Sequence, residues 1–70
     1  MSNIQDDLNM ARRHVTRGRV LIASQEALVG RLKDGGHDCK LPEALLETYY
    51  RTQAIFEEDL ARLSSLAPQP

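Results

Sequence analysis

The sequence is short of everything that usually braces a small domain. Cys39 is its only cysteine, so no disulfide can close within the chain, and nothing in the cysteine usage points to an oxidising compartment. Proline stands only at positions 42, 68 and 70, which leaves long stretches free of that helix breaker. Tryptophan is absent, and Tyr49, Tyr50 and Phe56 are the whole aromatic complement. Apolar runs such as Val20–Ala23 and Leu45–Leu46 fall far short of a membrane span. The residues after Met1 are polar and acidic, with no apolar segment of the kind found in a signal peptide, so the expected location is cytoplasmic. A net charge of −1 gives no bulk attraction to nucleic acid or anionic lipid.

What remains is a globular composition, 41% hydrophobic and 27% charged, in 70 residues. That length allows one domain. A chain so short seldom holds itself together without a disulfide, a metal or a partner.

From Met1 to Lys33 there is no proline, and the glycines are Gly18 and Gly30. The first helix is predicted from about Asn3 to Lys33. Ser2 with Gln5 fits a capping box, and Asp6 and Asp7 suit the positive end of the helix dipole. Asp34-Gly35-Gly36-His37-Asp38 is a stop signal, with Gly35 expected in the left-handed position after the helix. Pro42 suits the first turn of a second helix, for which Asp38 is the expected N-cap. That helix is predicted from about 42 to 66, after a loop over 34–41. Ala67-Pro68-Gln69-Pro70 is expected to fray.

The first helix carries a stripe alternating in steps of four and three: Ile4, Leu8, Ala11, Val15, Gly18, Ile22, Gln25, Val29 and Leu32. The second carries Leu46, Tyr49, Gln53, Phe56, Leu60 and Leu63. This is the spacing of coiled-coil-like packing, and the fold class it implies is an all-α antiparallel hairpin. With the chain folded at Gly35–Gly36, the stripes are expected to meet as Leu32 with Leu46, Val29 with Tyr49, Ile22 with Phe56, Gly18 with Leu60 and Val15 with Leu63. Gln25 would then face Gln53. Two amides bonded to each other in an apolar layer form a register lock, because a slip leaves each unsatisfied at roughly 1–3 kcal/mol. The plain alternative is two half-exposed amides facing water. Gly18 either clears space for a close helix approach or a bulky neighbour such as Phe56, or is a tolerated defect or mild kink.

The two edges of such a hairpin differ. One joins Arg12, Arg19, Glu26 and Lys33 to Tyr50, Glu57 and Ser64, a solvated edge on which Arg19 and Glu57 form an ion pair worth about 0.2–1 kcal/mol. The other joins His14, Leu21 and Leu28 to Leu45, Thr52, Asp59 and Leu66, with Met10 and Ile55 beside them. A second apolar stripe of this size marks an interface. The expected interface residues are Leu21, Leu28, Leu45, Thr52, Ile55 and Leu66. The expected partner is a second copy, making a homodimeric four-helix bundle, or another helical protein. A marginal monomer is the alternative.

Site chemistry is thin. His37, Asp38 and Cys39 are consecutive, and three neighbours seldom reach one tetrahedral ion, so loop and capping roles are expected and no metal or other cofactor is assigned. Cys39 is also a candidate for oxidation or for bridging two subunits. Arg12, Arg13, Arg17 and Arg19 make the most basic segment, a candidate phosphate-gripping patch. The run Glu57-Glu58-Asp59 alongside favours internal neutralisation instead. Glu47 with Arg51 and Glu58 with Arg62 have the spacing of helix-surface pairs. His14 beside Asp59 reads as an edge contact. No phosphate loop, nucleophile–base arrangement or small-molecule site is evident, so no enzyme activity is expected.

The segments Arg13-His-Val-Thr-Arg-Gly-Arg-Val-Leu-Ile-Ala-Ser-Gln, Arg31-Leu-Lys-Asp-Gly-Gly-His-Asp and Leu45-Leu-Glu-Thr-Tyr resemble a group of short bacterial proteins with no known function. The shared elements are His-Val, Gly, Ile, Gln, then Leu, Gly-His-Asp, then Leu-Leu and Gln, over roughly residues 12–63. Cys39 and Pro42 depart from the threonine and acidic residues that follow Gly-His-Asp in that group. The resemblance implies a bacterial, cytoplasmic helical hairpin and carries no activity.

Overall fold

The computed structural model describes residues 3–66. It holds two helices, α1 over Ile4–Asp34 and α2 over Lys40–Leu66, packed antiparallel as a hairpin 52 Å long. Among the described residues there is no strand.

Both ends of α1 and the start of α2 are set by local contacts. Asn3 caps α1, its side chain accepting from the Asp6 backbone N–H at 2.8 Å, and Asp6 and Asp7 follow in the first turn. The Ser2 capping box lies outside the described residues, as does the tail over 67–70. At the far end Gly36, not Gly35, takes the left-handed conformation, with φ of 72°. Gly35 is the C-cap and keeps a negative φ. The His37 N–H donates to Leu32 O and the Gly36 N–H to Lys33 O. That pair of bonds is a Schellman motif, and it places the left-handed residue one position later than expected.

α2 starts two residues before the predicted position. The Glu43 N–H reaches Cys39 O at 2.8 Å, which makes Cys39 the N-cap. Asp38 still serves the helix start, accepting from the Lys40 N–H at 2.9 Å. Pro42 falls in the first turn, where an N–H has no intrahelical acceptor.

The two stripes pack against each other one heptad away from the expected register. Gln53 lies against Gly18, where Leu60 was expected, and donates to Val15 O at 2.9 Å. His14 stacks on Phe56 with ring centroids 4.9 Å apart, and the Cys39 thiol lies 3.9 Å from Val29 O. A heptad pattern repeats itself, so a slip of one heptad matches apolar to apolar equally well. The turn makes the choice: the connection is only Gly35–Cys39, so residues equidistant from the glycines meet. The longer overlap also adds layers at the loop end, where Cys39 and Val29 are buried together.

The slip removes the Gln25–Gln53 lock. Gln25 donates to Pro42 O at 3.0 Å, while Gln53 serves Val15 O. Each amide therefore finds a backbone carbonyl on the opposite helix. Gly18 is required for this. A Cβ there would sit 1.7 Å from Gln53 Oε1. The glycine does clear space, but for Gln53 rather than Phe56.

The core is slight. Leu8, Ala11, Val15, Val29, Cys39 and Gln53 are buried, and among the described residues no large side chain is fully enclosed.

Candidate docking edge

The two edges of the hairpin are built differently. Along the first, the three successive heptad steps from Arg19 to Lys33 each carry a cross-helix polar contact. Arg19 pairs with Glu57 at 3.1 Å as expected, Tyr50 donates to Glu26, and Lys33 pairs with Glu43 at 3.1 Å. The Glu26 carboxylate, by accepting that bond and by its charge, holds the Tyr50 hydroxyl above the ordinary tyrosine range. This edge is zipped and solvated.

The second edge has no such cover. His14, Gly18 and Leu21 of α1 and Tyr49, Thr52 and Phe56 of α2, with Arg17 and Thr48 at the margin, line an open groove of about 320 Å³ with a mostly apolar wall. It continues past His14 and Phe56 into a second groove lined by Asp7, Met10, Asp59, Arg62 and Leu63. Along the rim Met10, Leu21, Leu45, Ile55 and Leu66 are exposed, Leu66 by 65% and Ile55 by 58%. Thr52 is exposed and Leu28 half-buried. The expected interface residues thus fall on one side of the molecule.

Leu41 belongs to the same row and was missed. It is 81% exposed, the most open large apolar side chain among the described residues. Its signal was its place four residues before Leu45, but that turn was assigned to the loop.

Size scaling gives the same picture. The chain exposes 5390 Å². A compact monomer of 7.9 kDa exposes roughly 4400 Å². The excess, on the order of 1000 Å², is close to the roughly 800 Å² that each partner contributes to a standard interface.

Most of the basic segment faces away from this edge. Arg12, Arg13, Thr16 and Arg17 share a shallow outer surface of α1, and Arg17 also reaches the rim of the groove. Arg12 reaches Asn9 at 3.5 Å, and Arg19 is occupied by Glu57. Of the two predicted helix-surface pairs, Glu47–Arg51 forms at 2.9 Å. Arg62 turns instead to Asp59, also at 2.9 Å. His14 and Asp59 line one groove, but the imidazole rests on Phe56.

The loop triplet is committed to structure. The Asp38 side chain accepts from the Lys40 N–H at the start of α2, and the buried Cys39 thiol lies 3.4 Å from His37 O. No group of three or more metal-ligating side chains gathers among the described residues, and no helix there is long and apolar enough to cross a membrane.

The fold and this edge define an all-α antiparallel helical hairpin with one polar seam flank and one open apolar flank. No family model, curated protein or solved structure matches the chain.

Proposed function

We propose that this chain is a non-enzymatic interaction and oligomerisation module, completed by a second copy of itself as a homodimeric four-helix bundle. The observation that carries this reading is the asymmetry of the edges. One is sealed by three cross-helix polar contacts, while the other exposes Met10, Leu21, Leu41, Leu45, Ile55 and Leu66. Apolar area left in water forfeits about 25 cal/mol per Å², so covering this edge is worth several kcal/mol to a chain with a slight core. A second copy is the simplest cover, because a twofold axis brings the same face to itself.

Light scattering across the micromolar range tests the reading. The expected mass is twice 7.9 kDa, with a melting temperature that rises with concentration. A monomer whose melting is independent of concentration overturns it.

A second reading rests on the outer face of α1. Arg12, Arg13 and Arg17 lie together there, free of any cross-helix ion pair among the described residues. That arrangement suits a nucleic-acid backbone. Binding to duplex DNA or RNA that weakens steeply with salt supports it, because phosphate contacts release counterions. No binding at low salt removes it.

A further inference from the structure

Resting on the homodimer reading, we infer that the two hairpins stack face to face with their loops at the same end, α1 of each copy lying on α2 of the other. Two copies can cover one face in two ways. A dyad along the hairpin keeps the loops together; a dyad across it sends them to opposite ends. Both leave neighbouring helices antiparallel, so helix direction does not choose between them.

The distribution of side chains along the edge does choose. The half nearer the loop is the more apolar, with Leu21 and Leu28 on α1 and Leu41 and Leu45 on α2. The far half carries the charges, since Asp7, His14, Asp59 and Arg62 line its groove together with Met10 and Leu63. The observed register sets the levels: Leu21 stands beside Tyr49 and Thr52, and Asp7 and Met10 beside Asp59 and Arg62. With loops together, Leu28 meets Leu41 and Leu45 of the second copy. Asp7 then reaches the level of Arg62 of the second copy, and His14 and Arg17 that of its Asp59. Apolar surface covers apolar surface, and opposite charges approach.

With loops apart and Leu21 on the dyad, Leu28 would lie on His14 of the second copy and Leu41 on its Asp59. That arrangement covers a carboxylate with leucine and supplies no new partner, which is costly.

The unmodified chain carries the test. Lys33 and Lys40 are its only lysines, and both flank the loop. A short-arm lysine cross-linker is applied to an equimolar mixture of 14N- and 15N-labelled protein, at a concentration where light scattering reports the dimer. Loops together place these lysines of both copies within reach, so mixed-isotope Lys33–Lys40 or Lys40–Lys40 links are expected. The Lys33–Lys40 link within one chain confirms that the reagent has acted. Loops apart, with Leu21 on the dyad, separate them by about 30–36 Å along the axis, at 1.5 Å per helical residue, beyond a short-arm reagent, and no mixed-isotope link forms. A dimer mass with links only within chains overturns the arrangement and leaves the homodimer standing. A monomer mass overturns both.

Discussion

Gly18 and Gln53 act as one unit. The glycine leaves the space that the Gln53 amide fills, and the amide reaches across to Val15 O. Alanine ordinarily improves a helix interior by about 1 kcal/mol over glycine. Here Gly18→Ala must expel Gln53 from a buried bond, and we expect a net loss of about 1–2 kcal/mol in denaturant melts. With Gln53→Ala already in place, the same substitution becomes neutral or stabilising. Additive losses in that double-mutant cycle would refute the pairing. Gln25 has its own acceptor on Pro42, about 10 Å along the axis at the rise of an α-helix. Gln25→Ala and Gln53→Ala are therefore expected to add within about 0.5 kcal/mol. Strong coupling between them would restore the face-to-face amide pair.

The fold shifts the ionisation of Tyr50. Glu26 raises its pKa by accepting its proton in a hydrogen bond, with desolvation and the carboxylate's charge acting in the same direction. A raised folded value means the neutral phenol favours the folded state. That contribution is whole below the unfolded value of 10.0 and is lost as pH rises through the folded one. Absorbance titration should show one tyrosine ionising above 10.0, and Glu26→Gln should bring it down; an unchanged titration in that variant counts against the contact.

At the scale of the element, the ends of the helices are decided by short-range chemistry. Gly36 sits at positive φ, so Gly36→Ala is expected to cost about 1–2 kcal/mol. Gly30 meets nothing within 4 Å of a built Cβ, so Gly30→Ala is expected to stabilise by about 0.5–1 kcal/mol. Thermal melts that fail to separate these two glycines would refute the Schellman ending. The stop signal at residues 34–38 was legible, as was the stripe on each helix. The assignment of the left-handed position was off by one because Gly35 and Gly36 are chemically identical. Only the hydrogen bonds to Leu32 O and Lys33 O say which of them turns. The start of α2 was placed late for a similar reason. Asp38 is as good a cap from one position earlier, and Pro42 tolerates any of the first helical positions.

At the scale of the molecule, the open edge governs behaviour. Leu21 and Leu45 lie on its apolar half, 40% and 43% exposed, away from the slight core. Leu21→Asp is expected to halve the mass seen by light scattering while helix content by circular dichroism is kept at high concentration. Glu47→Ala, on the outer face of α2, should leave the mass unchanged. An unaltered dimer for Leu21→Asp would show that this edge is not the contact. The edge was legible in the sequence because g-type positions are named by the heptad itself, whatever the register. That Arg19 and Glu57 belong to the polar flank was legible in the same way, and the structure joins them as an ion pair.

Periodicity alone thus determined that there are two helices, which face of each is buried, and which edge is left apolar. These follow from the spacing of side chains within one helix, and each helix reports its own spacing. The pairing of one helix with the other was not contained in that pattern, because registers a heptad apart repeat the same apolar match. The length of the Gly35–Cys39 connection and the fit of Gln53 over Gly18 settled it, and both are properties of two segments brought together.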